Sequence, residues 1–95
     1  MTGKSLNKAR LKLRLYVAGN AANSVQAIAN VRAICDEHFD AGQVEIVDLL
    51  EFPTRGLIDG IVVTPTLIRL FPRPVRKIIG NLSDTSKVVL ALSFK

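Results

Sequence analysis

The first half of the chain changes its hydrophobic period twice, and few folds accept that order. Arg10-Leu11-Lys12-Leu13-Arg14-Leu15 alternates charged and apolar residues and runs on into Tyr16-Val17. A period of two marks a strand, here with one wet face. Ala18-Gly19-Asn20 ends it. Val25, Ile28, Val31, Cys35 and Phe39 then recur at spacings of three and four. That stripe predicts a helix to about Phe39, with Asn23 or Ser24 as its N-cap. Asp40-Ala41-Gly42 closes it, Gly42 suiting a left-handed C-cap. Val44 to Leu50 reads as a second strand, apolar enough to be buried on both faces. Strand, helix and strand of these lengths form a βαβ unit with two parallel strands.

The second half is less decided. Pro53 opens a short helix to about Asp59, which Gly56 weakens. Ile61 to Phe71 becomes strand-like after Pro65, and Pro72-Arg73-Pro74 forces a turn. Val75 to Ile79 fits a strand, and Gly80-Asn81 a hairpin or cap. Ser83-Asp84 can cap a last helix from Thr85 to Phe94, yet Val88-Val89-Leu90-Ala91-Leu92 fits a strand by composition. A βαβ start followed by Thr64-Pro65 and a hairpin suggests a thioredoxin-like α/β domain, βαβ followed by αββα. A cis bond before Pro65 would fix the turn into the next strand, so Thr64 and Pro65 are read as structural.

With 95 residues, the chain is read as a basic tail over residues 1–9 and one domain over 10–95. The net charge is +5 and uneven. Lys4, Lys8, Arg10, Lys12 and Arg14 precede any acid. Asp36 to Asp59 holds seven acids against Arg55 alone, and Arg69 to Lys77 holds four bases and no acid. Such polarity favours a charge-complementary partner, and the apolar richness of so small a chain points to a homo-oligomer. No signal peptide or membrane-spanning run is visible, so the expected location is cytoplasmic.

Chemistry is sparse. A thioredoxin-type enzyme carries its thiols where the first strand meets the first helix, because a helix N-terminus lowers a thiol pKa. Here that junction reads Gly19-Asn20-Ala21-Ala22-Asn23-Ser24. Cys35 lies late in the helix on the apolar stripe and reads as a buried small hydrophobe. His38 is the single histidine, next to Asp36 and Glu37, and reads as a solvated or capping residue. Ser24, Ser83 and Ser86 have no readable histidine partner, and no phosphate-binding glycine motif occurs. The chain is therefore read as a non-enzyme with no catalytic residues, cofactor or metal. Two rival readings stand beside that one, a thioredoxin-like redox or stress enzyme and a basic nucleic-acid binder. The second has a basic tail and Arg69–Lys77 for phosphates, but its five aromatic residues form no stacking motif.

Several blocks are similar to a known family. Leu15-Tyr16-Val17-Ala18-Gly19-Asn20 with Asn23-Ser24-Val25 resembles the opening of the KaiB circadian-clock family. Thr64-Pro65-Thr66-Leu67, the run from Pro72 to Ser83 and Lys87-Val88-Val89 resemble its later blocks. The resemblance implies a regulator that docks on the ATPase ring of KaiC, with a histidine kinase or a KaiA-like protein as further partners. The same domain caps the sensory end of some clock-output kinases. The resemblance also implies two possible folds: a thioredoxin-like form, and a ground-state fold with the same βαβ half and a rearranged second half. On this basis Arg14, Asn23, Gln26, Asp48 and Glu51 are the candidate partner-binding residues. The chain departs from the family at Ala21-Ala22, where Thr-Pro is usual, across residues 54–60, and at Glu45, where a Lys is common; that last change reverses a surface charge and counts against KaiA-type recruitment. It also has Leu90-Ala91-Leu92 where Gly is frequent. Alanine is favoured over glycine in a helix by about 1 kcal/mol, so the chain is expected to lean toward the thioredoxin-like form.

Overall fold

A computed structural model describes residues 11–39 and 43–93. The expected tail over residues 1–9, the Asp40-Ala41-Gly42 closure and Phe94 lie outside the described residues. Strand β1 (Lys12–Val17) leads into helix α1 (Ala22–His38) and strand β2 (Gln43–Asp48). Helix α2 (Pro53–Asp59), strands β3 (Thr66–Phe71) and β4 (Arg76–Ile79), and helix α3 (Thr85–Ser93) complete the chain. The four strands lie in the order β2-β1-β3-β4. β1 runs parallel to β2 and antiparallel to β3, and β4 is antiparallel to β3.

Pleating divides the sheet into two faces. Leu13, Leu15, Val17 and Leu67 turn one face toward α1 and α3, where they meet Ala27, Val31, Ile34, Cys35, Leu82, Val88 and Leu92 in the main core. Tyr16, Val47 and Ile68 turn the other way and form a smaller cluster with Leu49, Ile61 and Leu70. The wet face expected for β1 is therefore covered at its Tyr16 end.

Three local expectations are corrected. Helix α1 begins at Ala22 after Ala21, with no side-chain cap; Asn23 and Ser24 are already helical. Ser24 is buried, and its hydroxyl accepts the Ala18 N–H at 3.0 Å, so it closes the turn before the helix. The buried residues of α1 are Ser24, Ala27, Val31, Ile34 and Cys35, with Ile28 and Phe39 packed against the same core; of the expected stripe Val25 alone is more than half exposed. β2 is an edge strand that ends at Asp48; only Val47 in its described interior is fully buried. Its apolar surplus, Val44 and Ile46, is half-buried against the main core.

In the second half, α2 occupies the expected span, with Pro53 in its first turn, where the missing N–H is not needed. Gly56 fits there for a packing reason. A Cβ on it would stand 2.8 Å from the Leu49 Cδ2, so the helix approaches the sheet as closely as it does because that carbon is absent. β4 starts at Arg76, after the turn that includes Val75. The bonds before Pro65, Pro72 and Pro74 are all cis. The Pro65 carbonyl accepts the Gly80 N–H at 3.0 Å, tying the two ends of the hairpin.

The helix reading of residues 85–93 is the one realised. Asp84 accepts the Lys87 N–H at 3.2 Å, and Val88 and Leu92, four apart, enter the core. Arg69 secures the far end of α3. Its guanidinium is completely buried, donating to the carbonyls of Leu92 at 3.0 Å and Pro74 at 2.8 Å. Burial lowers its pKa, but the α3 C-terminus supplies the partial negative charge that suits a cation. We expect Ala91→Gly to cost about 1 kcal/mol in urea unfolding, the interior-helix penalty of glycine. Backbone carbon shifts should report helix over Lys87–Leu92 in the free protein; strand shifts there would contradict the assignment.

Candidate functional site

The junction of β1 and α1 is the natural place to look for chemistry. Gly19 turns the chain with φ +55°, and a side chain there would meet Leu50 Cδ1 at 2.8 Å. Its N–H and that of Leu50 both donate to Asp48 Oδ1, at 3.0 and 2.9 Å, so one carboxylate joins the turn before α1 to the turn after β2. Ala21, Ala22 and Asn23 are exposed and carry no nucleophile. Cys35 lies thirteen residues further along α1 than Ala22, which at 1.5 Å per residue is about 20 Å away. It is buried, and burial, with Asp36 nearby, raises its thiol pKa. His38 Nε2 stands 3.8 Å from Glu37 Oε1 on an exposed helix end. Among the described residues no group of three His, Cys, Asp or Glu side chains is placed to hold a metal ion.

A charge network lies on the other face of the sheet. Arg14 on β1 and Glu45 on β2 are register partners, and the Arg14 Nε donates to Glu45 Oε1 at 2.8 Å. Arg14 Nη1 donates to Asp59 Oδ2 at 3.0 Å, at the end of α2. Arg55, one turn earlier on α2, reaches the other Glu45 oxygen at 2.8 Å. The buried Tyr16 hydroxyl donates to Asp59. Two strands and the short helix are thus held by alternating charges. Bonds from Arg55 and then Arg14 pull the Glu45 pKa down to about 2. The Tyr16 hydroxyl and Arg14 lower that of Asp59 despite its partial burial. Burial and the bond to Asp59 raise that of Tyr16.

Outside this network, α2 and its flanks are apolar and wet. Leu50, Phe52, Leu57, Ile58 and Val62 are all more than half exposed, Leu57 and Ile58 by 79% and 77%, and Val63 by somewhat less. Inward contact is left to Arg55, Gly56 and Asp59. So many exposed large side chains between residues 50 and 63 are the kind of apolar surface that interaction sites present.

The sequence-derived candidates do not form one cluster. Asp48 and Glu51 flank Leu50, but Asp48 is engaged in the turn described above, while Glu51 is exposed. Arg14 is half-buried within the network. Asn23 is exposed on the first turn of α1. Gln26, one turn on, accepts the Asn81 side-chain amide at 3.2 Å, which helps tie α1 to the segment after β4. Thr64 is half-buried and Pro65 buried at the start of β3. Sequence reasoning did not connect Tyr16, Glu45, Arg55 and Asp59. The one signal was the unusual acid at Glu45; its partners become visible only with the strand register.

These features define a class first: a thioredoxin-like α/β domain with no thiol at its helix entrance. Solved structures agree on the fold. Thioredoxin 1 of Thermosipho africanus superposes with a TM-score of 0.69 at 17% identity, over 84% of this chain and 88% of that one. The N-terminal domain of Synechococcus elongatus SasA does so with a TM-score of 0.61 at 20% identity, over 85% and 77%. The KaiB domain model matches residues 14–94. The chain is 51% identical over 84 residues to the circadian clock protein KaiB3 of Synechocystis sp., covering 87% of this chain and 82% of that protein. It is 44% identical over 89 residues to the circadian clock oscillator protein KaiB of Microcystis aeruginosa, covering 93% and 86%. The chain belongs to the KaiB family of circadian clock proteins.

The network carries a pH signature. Glu45 has its folded pKa below the ordinary value of 4.5, so its stabilisation is present above that value and is lost as pH falls toward about 2. Its carboxylate is nearly half exposed, and solvent screening holds the contribution of such a pair to under about 1 kcal/mol. We expect Glu45→Gln to lower stability by that small amount at pH 7. The gap from the wild type should shrink between pH 4.5 and pH 2 in parallel urea titrations.

Proposed function

We propose that the chain is a non-enzymatic KaiB-like regulator that binds a KaiC-type ATPase ring and modulates its phosphorylation or ATPase cycle, or its output, in a circadian or stress response. Family membership across almost the whole chain carries this reading. The apolar surface of residues 50–63 supports it, because a large rigid partner is what such a surface needs to leave water. Glu51, Asp48 and the Arg14 network border that surface in sequence or space and are proposed to set its electrostatic fit. A histidine kinase or a KaiA-like protein is proposed as a second partner, and self-association into dimers or tetramers as the state of the free chain.

The rival readings have less support. A dithiol reaction needs a thiol at the α1 entrance, whereas Cys35 is buried near the opposite end of that helix. A phosphate-binding run from Arg69 to Lys77 loses Arg69, which is turned into the core.

Size-exclusion chromatography with the host's KaiC-type ATPase and ATP, after hours of incubation, tests the proposal. We expect a stable complex, weakened at least about tenfold by Leu57→Asp or Ile58→Asp, as for residues that anchor an interface. Circular dichroism of the variants should match the wild type, since both side chains are exposed. Absence of a wild-type complex overturns the reading. Full binding by both variants moves the interface off α2.

A further inference from the structure

We propose that the outer edge of β4 is a docking site for an acidic, extended segment of a partner protein, which adds to the sheet as a fifth strand. Among the described residues β4 is last in the strand order and pairs only with β3. Alternate residues of an edge strand direct their N–H and C=O groups outward, where an added strand can take them up.

The turn and strand themselves carry charge of one sign, with Asp59 beside Lys77 and Asp84 near Ile78 and Ile79 as the acids that adjoin them. From Gly60 to Ser83 the sequence has no Asp or Glu, while Arg73, Arg76 and Lys77 are all exposed. Lys77 donates to the Asp59 carbonyl at 2.8 Å, and its charge also helps to lower the Asp59 pKa, behind the Tyr16 hydroxyl and Arg14. The opposite edge, β2, differs: its Glu45 is bound to two arginines.

Basic residues alone would read as protection against edge pairing. Here apolar side chains accompany them. Phe71, Val75 and Ile79 are all about half exposed or more, Ile79 by 66%. Along β4, Arg76 and Ile78 share one face of the sheet, and Lys77 and Ile79 share the other. Each face therefore presents a base followed two residues later by an isoleucine. An antiparallel strand reading Val-Val-Glu-Glu sets its valines beside Ile79 and Ile78 and its acids beside Lys77 and Arg76. Backbone bonds give such a complex its affinity, and the side-chain order gives its specificity. A nucleic acid would use the same charges but neither the outward backbone groups nor the isoleucines.

The test uses the full chain at moderate salt and the blocked peptide Thr-Val-Val-Glu-Glu-Thr, followed by two-dimensional NMR and amide hydrogen exchange. Saturable shifts centred on Arg76–Ile79, with slowed exchange of the outward amides, are the expected result. Replacing both acids by lysine should weaken binding at least about tenfold, as like charges are brought together. Gly80 bonds inward to Pro65, so Lys77 and Ile79 are the residues whose N–H and C=O face outward. Replacing the first valine, which lies opposite Ile79, by proline should abolish the exchange protection, because proline has no N–H to donate to the outward Ile79 carbonyl. The Arg73→Glu, Lys77→Gln variant should lose most of the affinity. The peptide series on the wild-type chain stands even if that variant misfolds. Equal binding of the proline peptide, shifts centred elsewhere, or tighter binding of an oligothymidylate single strand to the same amides would each overturn the proposal.

Discussion

Strand β1 is paired along both edges, parallel to β2 and antiparallel to β3, and its side chains are buried on both faces toward its Val17 end. Leu13, Leu15 and Val17 support the core under α1 and α3, while Tyr16 supports the smaller one under α2. The same register sets Arg14 beside Glu45 and within reach of Asp59. A shift of one residue would turn every leucine to the wrong face and separate these charges. The placement of one six-residue strand thus decides the two cores and the electrostatic contacts that hold the short helix.

Much of this was legible in the sequence. The period change from Leu11 to Phe39 located β1 and α1, and Pro53 and Asp84 located the starts of α2 and α3 because each has a defined role in a first helical turn. The errors also have physical causes. Reading Asn23 or Ser24 as the cap misplaced the start of α1, because the Ser24 hydroxyl finds its partner in the preceding turn. An apolar run cannot by itself distinguish a central strand from an edge strand packed on one side, which is why β2 was expected to be more deeply buried. Val88 to Leu92 was ambiguous for the same reason, and only the packing of Val88 and Leu92 beneath α3 resolves it. The Arg14–Glu45–Arg55–Asp59 network was not legible, since its members lie up to 45 residues apart and meet through register alone.

The entrance to α1 carries no thiol. The turn there is closed by Asp48, Ser24 and a left-handed Gly19, all groups that immobilise backbone. What remains available is surface. Residues 50–63 are apolar and exposed, and the β4 edge is basic, so two regions of different chemistry stand on one small domain.

Arg69 has a mechanical consequence. One guanidinium holds the last carbonyls of α3 and the carbonyl of Pro74 in the β3–β4 turn. Pulling either away strips an acceptor from a cation that has no access to solvent, so neither can yield by itself at low cost. The end of the helix and the tip of the hairpin behave as two arms on a common pivot. A displacement of the hairpin tip therefore reaches the end of the last helix through one shared side chain.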